Sequence, residues 1–135
     1  MKIRCLFITT EFPPGPGGIG MHAYNVINEL DKQFNLQFQI VLTENYNSSE
    51  KELKSFIKSY RFPIYLLKKA PTLYRLINNI FHLIKLSYKY KPNIIITSGK
   101  HATWYGACIK FFFRKKLISF GHGSEFGKKI LEKLK

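Results

Sequence analysis

Apolar residues gather in short runs along the chain, and the two spacings they follow predict strands alternating with helices. Ile3, Cys5, Leu6, Phe7 and Ile8 make 3–10 a nearly continuous apolar run, the pattern of a strand buried on both faces. Over 21–30 the pattern changes: Ala23, Val26, Ile27 and Leu30 recur at i, i+3, i+4 and i+7, which predicts a helix with one buried face. A second strand is expected over 37–43, followed by a turn-rich loop over 45–49. Strand, helix and strand in this order predict a parallel βαβ unit with a right-handed crossover.

Two helical patterns follow. The first covers 49–60, with Leu53, Phe56, Ile57 and Tyr60 on one face and lysines elsewhere. The second opens at Pro71, a favourable first-turn residue. It sets Leu73, Leu76, Ile77, Ile80, Phe81, Ile84 and Tyr88 on one stripe, which we expect to face the core. Leu83 and Leu86 broaden the apolar side, and Arg75, Lys85 and Lys89 on the rest leave open a helix lying partly on a bilayer surface. Pro92 closes this helix, since proline disfavours the α region at the residue before it. A buried strand over 93–97, a helix over 104–113, a basic turn at 114–116 and a strand over 117–120 come next, and 128–135 reads as a short charged helix. The fold class expected is α/β, a Rossmann-like parallel sheet flanked by helices.

Composition narrows the possibilities. At 135 residues with 45% hydrophobic and 16% aromatic content, the chain is one folded domain and not a disordered one. Cys5 and Cys108 sit in apolar segments without metal-ligand spacing, which suits buried reduced thiols in the cytoplasm. The first apolar run ends by Glu11, too short for a signal peptide, and no run approaches membrane-spanning length, so any membrane contact is expected to be peripheral. The net charge of +14 suits an anionic partner: nucleic acid, anionic lipid or a phosphorylated small molecule. Between 51 and 91 the only acid is Glu52, so much of the charge sits there. No helix-turn-helix, zinc-finger or RNA-binding motif accompanies it, and specific nucleic-acid recognition is not expected.

Three segments carry candidate chemistry. Phe12-Pro13-Pro14-Gly15-Pro16-Gly17-Gly18-Ile19-Gly20-Met21-His22 joins the first strand to the first helix. Glycines at a helix N-terminus let a diphosphate reach free backbone N–H groups, where the helix dipole also favours negative charge. The same residues equally suit a loop that needs glycine for positive φ and proline for a rigid turn. Gly15-x-Gly17-x-x-Gly20, with Glu44 beyond it, also matches the dinucleotide fingerprint. Residues 9–14 intervene between strand and glycines, however, so a longer loop over a cleft fits better. Ser98-Gly99-Lys100-His101 and Gly121-His122-Gly123-Ser124-Glu125 both follow strands, where ligands of parallel sheets collect. His122, held between glycines, is expected to face the crevice, whereas His82 in the basic helix needs no role. Asp31 is the only aspartate and no Cys/His cluster has zinc spacing, so an Asp-containing triad or a two-carboxylate metal site is not expected.

Phe12-Pro13-Pro14 followed by Gly17-Gly18-Ile19-Gly20-x-His22 resembles the opening of the retaining glycosyltransferases of family 4. Gly121-His122-Gly123-Ser124-Glu125 resembles that family's His-Gly-Ser-Asp/Glu element, and Pro92-Asn93-Ile94-Ile95-Ile96 resembles the strand between them. The resemblance spans essentially the whole chain. It implies one half of a GT-B fold, the N-terminal acceptor-side domain over 1–135. It also implies transfer of a sugar from a nucleotide-sugar to a hydroxyl acceptor, a polysaccharide or lipid-linked precursor, with retention and with neither cofactor nor metal. On this resemblance Gly17, Gly18 and Gly20 approach the donor diphosphate and His122 is the catalytic residue that contacts the transferred sugar. His22, Lys100, His101, Trp104, Gly123 and Glu125 help to bind substrate. The half that binds the nucleotide and carries a Glu-x7-Glu motif is not in the sequence. Glu125 and Glu132 are one residue too close together and lie in the wrong half. The chain alone is therefore expected to be catalytically silent, with a C-terminal domain supplied in trans if it functions. The reading from another class is a non-catalytic basic Rossmann-like module that docks on a membrane or a partner protein.

Overall fold

Strand β1 (Ile3–Thr9) lies at the centre of a five-stranded, wholly parallel sheet ordered β3-β2-β1-β4-β5. The structure is a computed structural model that describes residues 2–15, 17–43, 49–68 and 72–121. Helix α1 (Gly18–Gln33) leads from β1 to β2 (Leu36–Leu42), and α2 (Glu50–Ser59) leads on to β3 (Ile64–Leu66). Helix α3 (Leu73–Tyr90) crosses back to β4 (Ile94–Ser98), and α4 (Lys100–Phe113) leads to β5 (Lys116–Phe120). This is the Rossmann-like α/β architecture that the alternating patterns predicted.

Parallel strands covered on both faces need apolar side chains on both, and β1 supplies them alternately. Cys5 and Phe7 join Phe38, Ile40 and Ile96 in a core beneath α1 and α2, where Ala23, Ile27 and Leu53 meet them. Leu6 and Ile8 join Val41 and Ile95 in a second core beneath α3 and α4, closed by Leu83, Ala102, Tyr105 and Ile109. In register, Thr9 lies between Leu42 and Ser98, and Ser98 lies beside Phe120. These four residues mark the carboxyl edge of the sheet.

Several element boundaries differ from the sequence expectation. Helix α1 starts at Gly18, three residues before 21, and α4 starts at Lys100, four before 104. Strand β3 was not anticipated at all. It holds three residues, too few for a period, yet it pairs Ile40 with Ile64 and completes the sheet edge. Helix α3 starts at Leu73 behind Thr72, whose hydroxyl accepts from the Arg75 N–H at 3.4 Å; Pro71 lies outside the described residues. Lys91 then adopts the left-handed conformation at φ 55° and ends the helix before Pro92.

The larger correction concerns the face of α3. The stripe expected to be core is mostly solvent-exposed: Leu73, Leu76, Ile77, Phe81 and Tyr88 are open to water. The helix instead buries Asn79, Leu83 and Ser87, at i, i+4 and i+8. Ile80 and Ile84 sit at the margin, partly buried against the second core. Asn79 can be buried because its side-chain amide donates to the Lys68 carbonyl at 2.6 Å and lies 3.4 Å from the Tyr105 hydroxyl. The helix therefore buries two polar residues beside Leu83 and leaves much of its apolar stripe facing outward.

Candidate active site

All four helices begin at the carboxyl edge of the sheet, but their first turns are built in two ways. Helices α2 and α3 are capped by side chains: Ser49 accepts from Glu52 N–H at 3.1 Å, and Thr72 caps α3. Helices α1 and α4 carry no side-chain cap and are led instead by glycines, Gly17 and Gly99. Both glycines have positive φ, 141° and 100°, a region that side chains rarely adopt. The first three N–H groups of an α-helix have no partner within the helix, so an uncapped, glycine-led end presents donors and the positive end of the dipole.

These two uncapped helices flank the point at which the chain reverses direction across the sheet. From β1 it proceeds through α1 towards β2, and from β4 through α4 towards β5, on opposite faces. A crevice opens at such a switch point, outside the carboxyl ends of the strands. Thr10 N–H donates to Ser98 O at 3.0 Å and Gly99 N–H to Phe120 O at 3.3 Å, which ties the two loops and the β5 exit into one rim. Thr103 hydroxyl accepts no role at the rim itself but donates to Gly99 O at 2.8 Å, steadying the first turn of α4.

The glycines do different work. A Cβ at Gly17 would meet the Glu11 carboxylate, and one at Gly99 would meet the Thr10 hydroxyl. One at Gly20 would sit 3.1 Å from the Phe12 backbone nitrogen, so that glycine lets α1 pack against the loop. Around Gly18 nothing lies within 4 Å. Packing does not require a glycine there, and its open side leaves room for a ligand at the helix end.

Gly17, Gly18, Gly20 and His22 lie in the opening turns of α1, Gly20 buried against the Phe12 backbone, and Lys100 and His101 lie in the first turn of α4. The His22 ring packs edge-on against Phe120 with centroids 5.2 Å apart, so the histidine of α1 stands where β5 ends. His122, Gly123 and Glu125 lie outside the described residues; Gly121, two residues after Ser119, is the last one before them. Trp104, five residues into α4, is 70% exposed. Glu44, the acid of the dinucleotide alternative, also lies outside the described residues.

Gly99 is the site residue whose part the sequence reading missed. Its signal was present: Ser98-Gly99 follows an apolar strand and opens a helix, repeating on β4 what the glycine loop does on β1. Among the described residues no three His, Cys, Asp or Glu side chains come together in a way that could hold a metal ion.

A sequence model of one family matches residues 16–135, nearly the whole chain, and its description is Glycosyltransferase Family 4. The chain belongs to Glycosyltransferase Family 4. No curated protein matches it in sequence. Solved structures with the same fold include MurG of Acinetobacter baumannii, with a TM-score of 0.64 at 15% identity over 87% of this chain and 33% of that one. A glycosyltransferase of Rickettsia africae matches with a TM-score of 0.62 at 15% identity, covering 93% of this chain and 32% of its own. A UDP-GlcNAc 2-epimerase of Neisseria meningitidis, solved with UDP-GlcNAc bound, matches with a TM-score of 0.61 at 18% identity over 90% and 32%. The family 4 chain thus spans about a third of the length of these structures, and it has the fold of the N-terminal half of a GT-B protein.

Proposed function

We propose that this chain is the acceptor-side half of a retaining glycosyltransferase, which moves a sugar from a nucleotide-sugar to a hydroxyl. The observation that carries the reading is the pair of uncapped, glycine-led helix N-termini, α1 and α4, facing one crevice at the switch point. Departure of a nucleoside diphosphate concentrates negative charge on the bridging oxygen. Preorganised N–H groups aimed at that charge lower the barrier without reorganising at the moment of reaction. Gly17, Gly18 and Gly20 would receive the diphosphate at α1, and the open side of Gly18 gives it access. Stabilisation of this kind comes from the chain's own backbone and calls on no metal or cofactor.

His22, Lys100 and His101 would line the place where sugar and acceptor meet, with His122 entering from the β5 exit to touch the transferred sugar. The described residues would supply one wall of such a site. The nucleotide-reading wall would come from a C-terminal GT-B domain, and without it we expect no turnover. The acceptor would be a polysaccharide or lipid-linked precursor, and a nucleotide-sugar donor sets the work in the cytoplasm, with any membrane contact peripheral. No helix among the described residues is long and apolar enough to cross a membrane.

The test is reconstitution. The chain is to be combined with a family 4 C-terminal domain and supplied with a panel of labelled nucleotide-sugars and hydroxyl acceptors, and the anomeric configuration of any product read by NMR. The reading expects a retained glycoside from the pair, none from either half, and loss of product in His122→Ala. Epimerised sugar without transfer, or product from the pair with inverted configuration, would overturn it.

A further inference from the structure

We infer that the outer face formed by α3 and α4 is a docking surface for an anionic lipid bilayer. Helices in a layered α/β fold turn their apolar side to the sheet and a polar side to water, but α3 is apolar on both: Leu83 is buried with Asn79 and Ser87, while Ile77 and Phe81 are exposed, Phe81 at 71%. Ile77, Phe81 and Tyr88 follow one another along the outside over about 16 Å, at 1.5 Å per residue. Helix α4 adds Trp104, Phe111 and Phe112, with Phe111 81% exposed.

The two sets belong to one surface. Both helices lie on the same side of the sheet and run in the same direction, linked beneath by Asn79 and Tyr105. With right-handed crossovers and about 100° per residue, the flank of α3 bearing Ile77 and Phe81 turns outward and towards α4. By the same geometry the flank of α4 bearing Trp104 and Phe111 turns outward and towards α3. Large apolar side chains exposed together on neighbouring helices mark an interaction site.

Charge selects the occupant. Not one Asp or Glu occurs from Leu53 to Gly121, whereas α3 and α4 carry Arg75, Lys85, Lys89, Lys100 and Lys110, with Lys85 one helical turn from Phe81 and Lys100 one turn before Trp104. The helical acids, Glu29, Asp31, Glu50 and Glu52, belong to α1 and α2 on the opposite side of the sheet. A second copy of the chain would bring two basic faces together. Nucleic acid would match the charge but leave the aliphatic stripe and the aromatic pair without a use. An anionic bilayer satisfies both, taking apolar side chains into the acyl boundary while Lys and Arg stay at the headgroups. Trp and Tyr are also suited to that boundary, amphipathic rings that sit at the depth of the headgroups.

Trp104 is the only tryptophan, so the proposed contact carries its own reporter. The full chain is mixed with vesicles of phosphatidylcholine alone or with phosphatidylglycerol added, with no nucleotide-sugar present, so the result does not depend on the transfer reaction. We expect sedimentation with the anionic vesicles only, a blue shift of Trp104 emission, and quenching by lipids brominated in the acyl chain. Lys85→Gln and Lys89→Gln should each weaken binding about fivefold, since a basic residue near an anionic leaflet contributes about 1 kcal/mol. Phe81→Ser should abolish the Trp104 shift while leaving circular dichroism unchanged, because Phe81 is exposed. If Phe81→Ser fails to fold, quenching of the unsubstituted chain decides alone. Equal binding to neutral vesicles would overturn the inference. So would sedimentation without quenching of Trp104, or a dimer by light scattering that Phe81→Ser dissolves, since the face would then belong to a second copy.

Discussion

The side-chain amide of Asn79 lies 3.4 Å from the hydroxyl of Tyr105, in the contact between α3 and α4 beneath their exposed flanks. Asn79 also donates to the Lys68 carbonyl at 2.6 Å, so one buried amide ties the end of β3, α3 and α4 together. Replacing it by leucine leaves the Lys68 carbonyl without that donor, and a buried polar group left unsatisfied costs about 1–3 kcal/mol. Asn79→Leu should therefore lower the unfolding free energy read from a urea titration by that amount, although leucine looks the better residue for a buried helix position. Tyr105→Phe should cost less, about 0.5–1.5 kcal/mol, the net worth of one hydrogen bond.

Gly18 occupies the first position of α1, where proline is tolerated because the N–H makes no helical bond. Gly17 before it has ψ 147°, the extended value that a following proline requires. Gly18→Pro should accordingly preserve the melting temperature while deleting one N–H donor from the crevice. In the reconstituted enzyme we expect turnover to fall about a hundredfold to a thousandfold, the effect of removing one oxyanion donor. Normal turnover with normal stability would show that the diphosphate does not use this end of α1.

Gly99→Ala should behave in the opposite way. The residue sits at φ 100° and a Cβ would meet the Thr10 hydroxyl, so the substitution strains the backbone and disturbs the rim. A loss of about 1–3 kcal/mol is expected in thermal or urea unfolding, with no ligand present.

The two thiols should react very differently. Burial pushes the Cys5 thiol up to about 12, and no part of it reaches solvent, whereas Cys108 is only half-buried. At pH 8 an excess of iodoacetamide should add one label to the folded chain, at Cys108, and two in 8 M urea. Two labels without denaturant would show that β1 opens readily.

Alkali should unfold the domain earlier than its surface charge suggests. Burial raises the Tyr60 phenol to about 12 against the pull of Arg61, and burial likewise raises Tyr90 to about 12. Cys5 is raised in the same sense. Each group keeps its proton in the folded chain at a pH where the unfolded chain has lost it, so the unfolded state binds fewer protons and stability falls as pH rises. The window opens near the ordinary values, 9.0 for the thiol and 10.0 for the phenols, and extends to about 12. Urea midpoints measured between pH 8 and pH 11 should decline, and less steeply in Tyr60→Phe; a flat profile would contradict these environments.

The sheet was legible because its signal is repeated: Cys5 to Ile8 and Ile94 to Ile96 are apolar at every position, as only a strand covered on both sides needs to be. Strand β3 escaped because three residues carry no period, and Ile64-Tyr65-Leu66 shows only as a brief apolar run after Pro63. The orientation of α3 was misread for a physical reason. Periodicity locates an apolar stripe but does not say what covers it, and here Asn79 and Ser87 take the inside because partners for the asparagine exist there. At the candidate site the glycines of α1 were visible as a motif. The matching end of α4 was not, because Gly99 matters through its φ and its place beside Thr10, which become apparent only when β1 and β4 are paired.

The confinement of the helical acids among the described residues to one side of the sheet has a consequence before any contact is made. With Glu29, Asp31, Glu50 and Glu52 on one side and an acid-free α3 and α4 on the other, the molecule is electrically lopsided. Within about 10 Å of a negatively charged surface at moderate ionic strength, that asymmetry exerts a torque on a freely tumbling chain. The domain would be turned during its approach and arrive with Phe81 and Trp104 leading, and raising the salt would slow its capture more than it would hasten its escape.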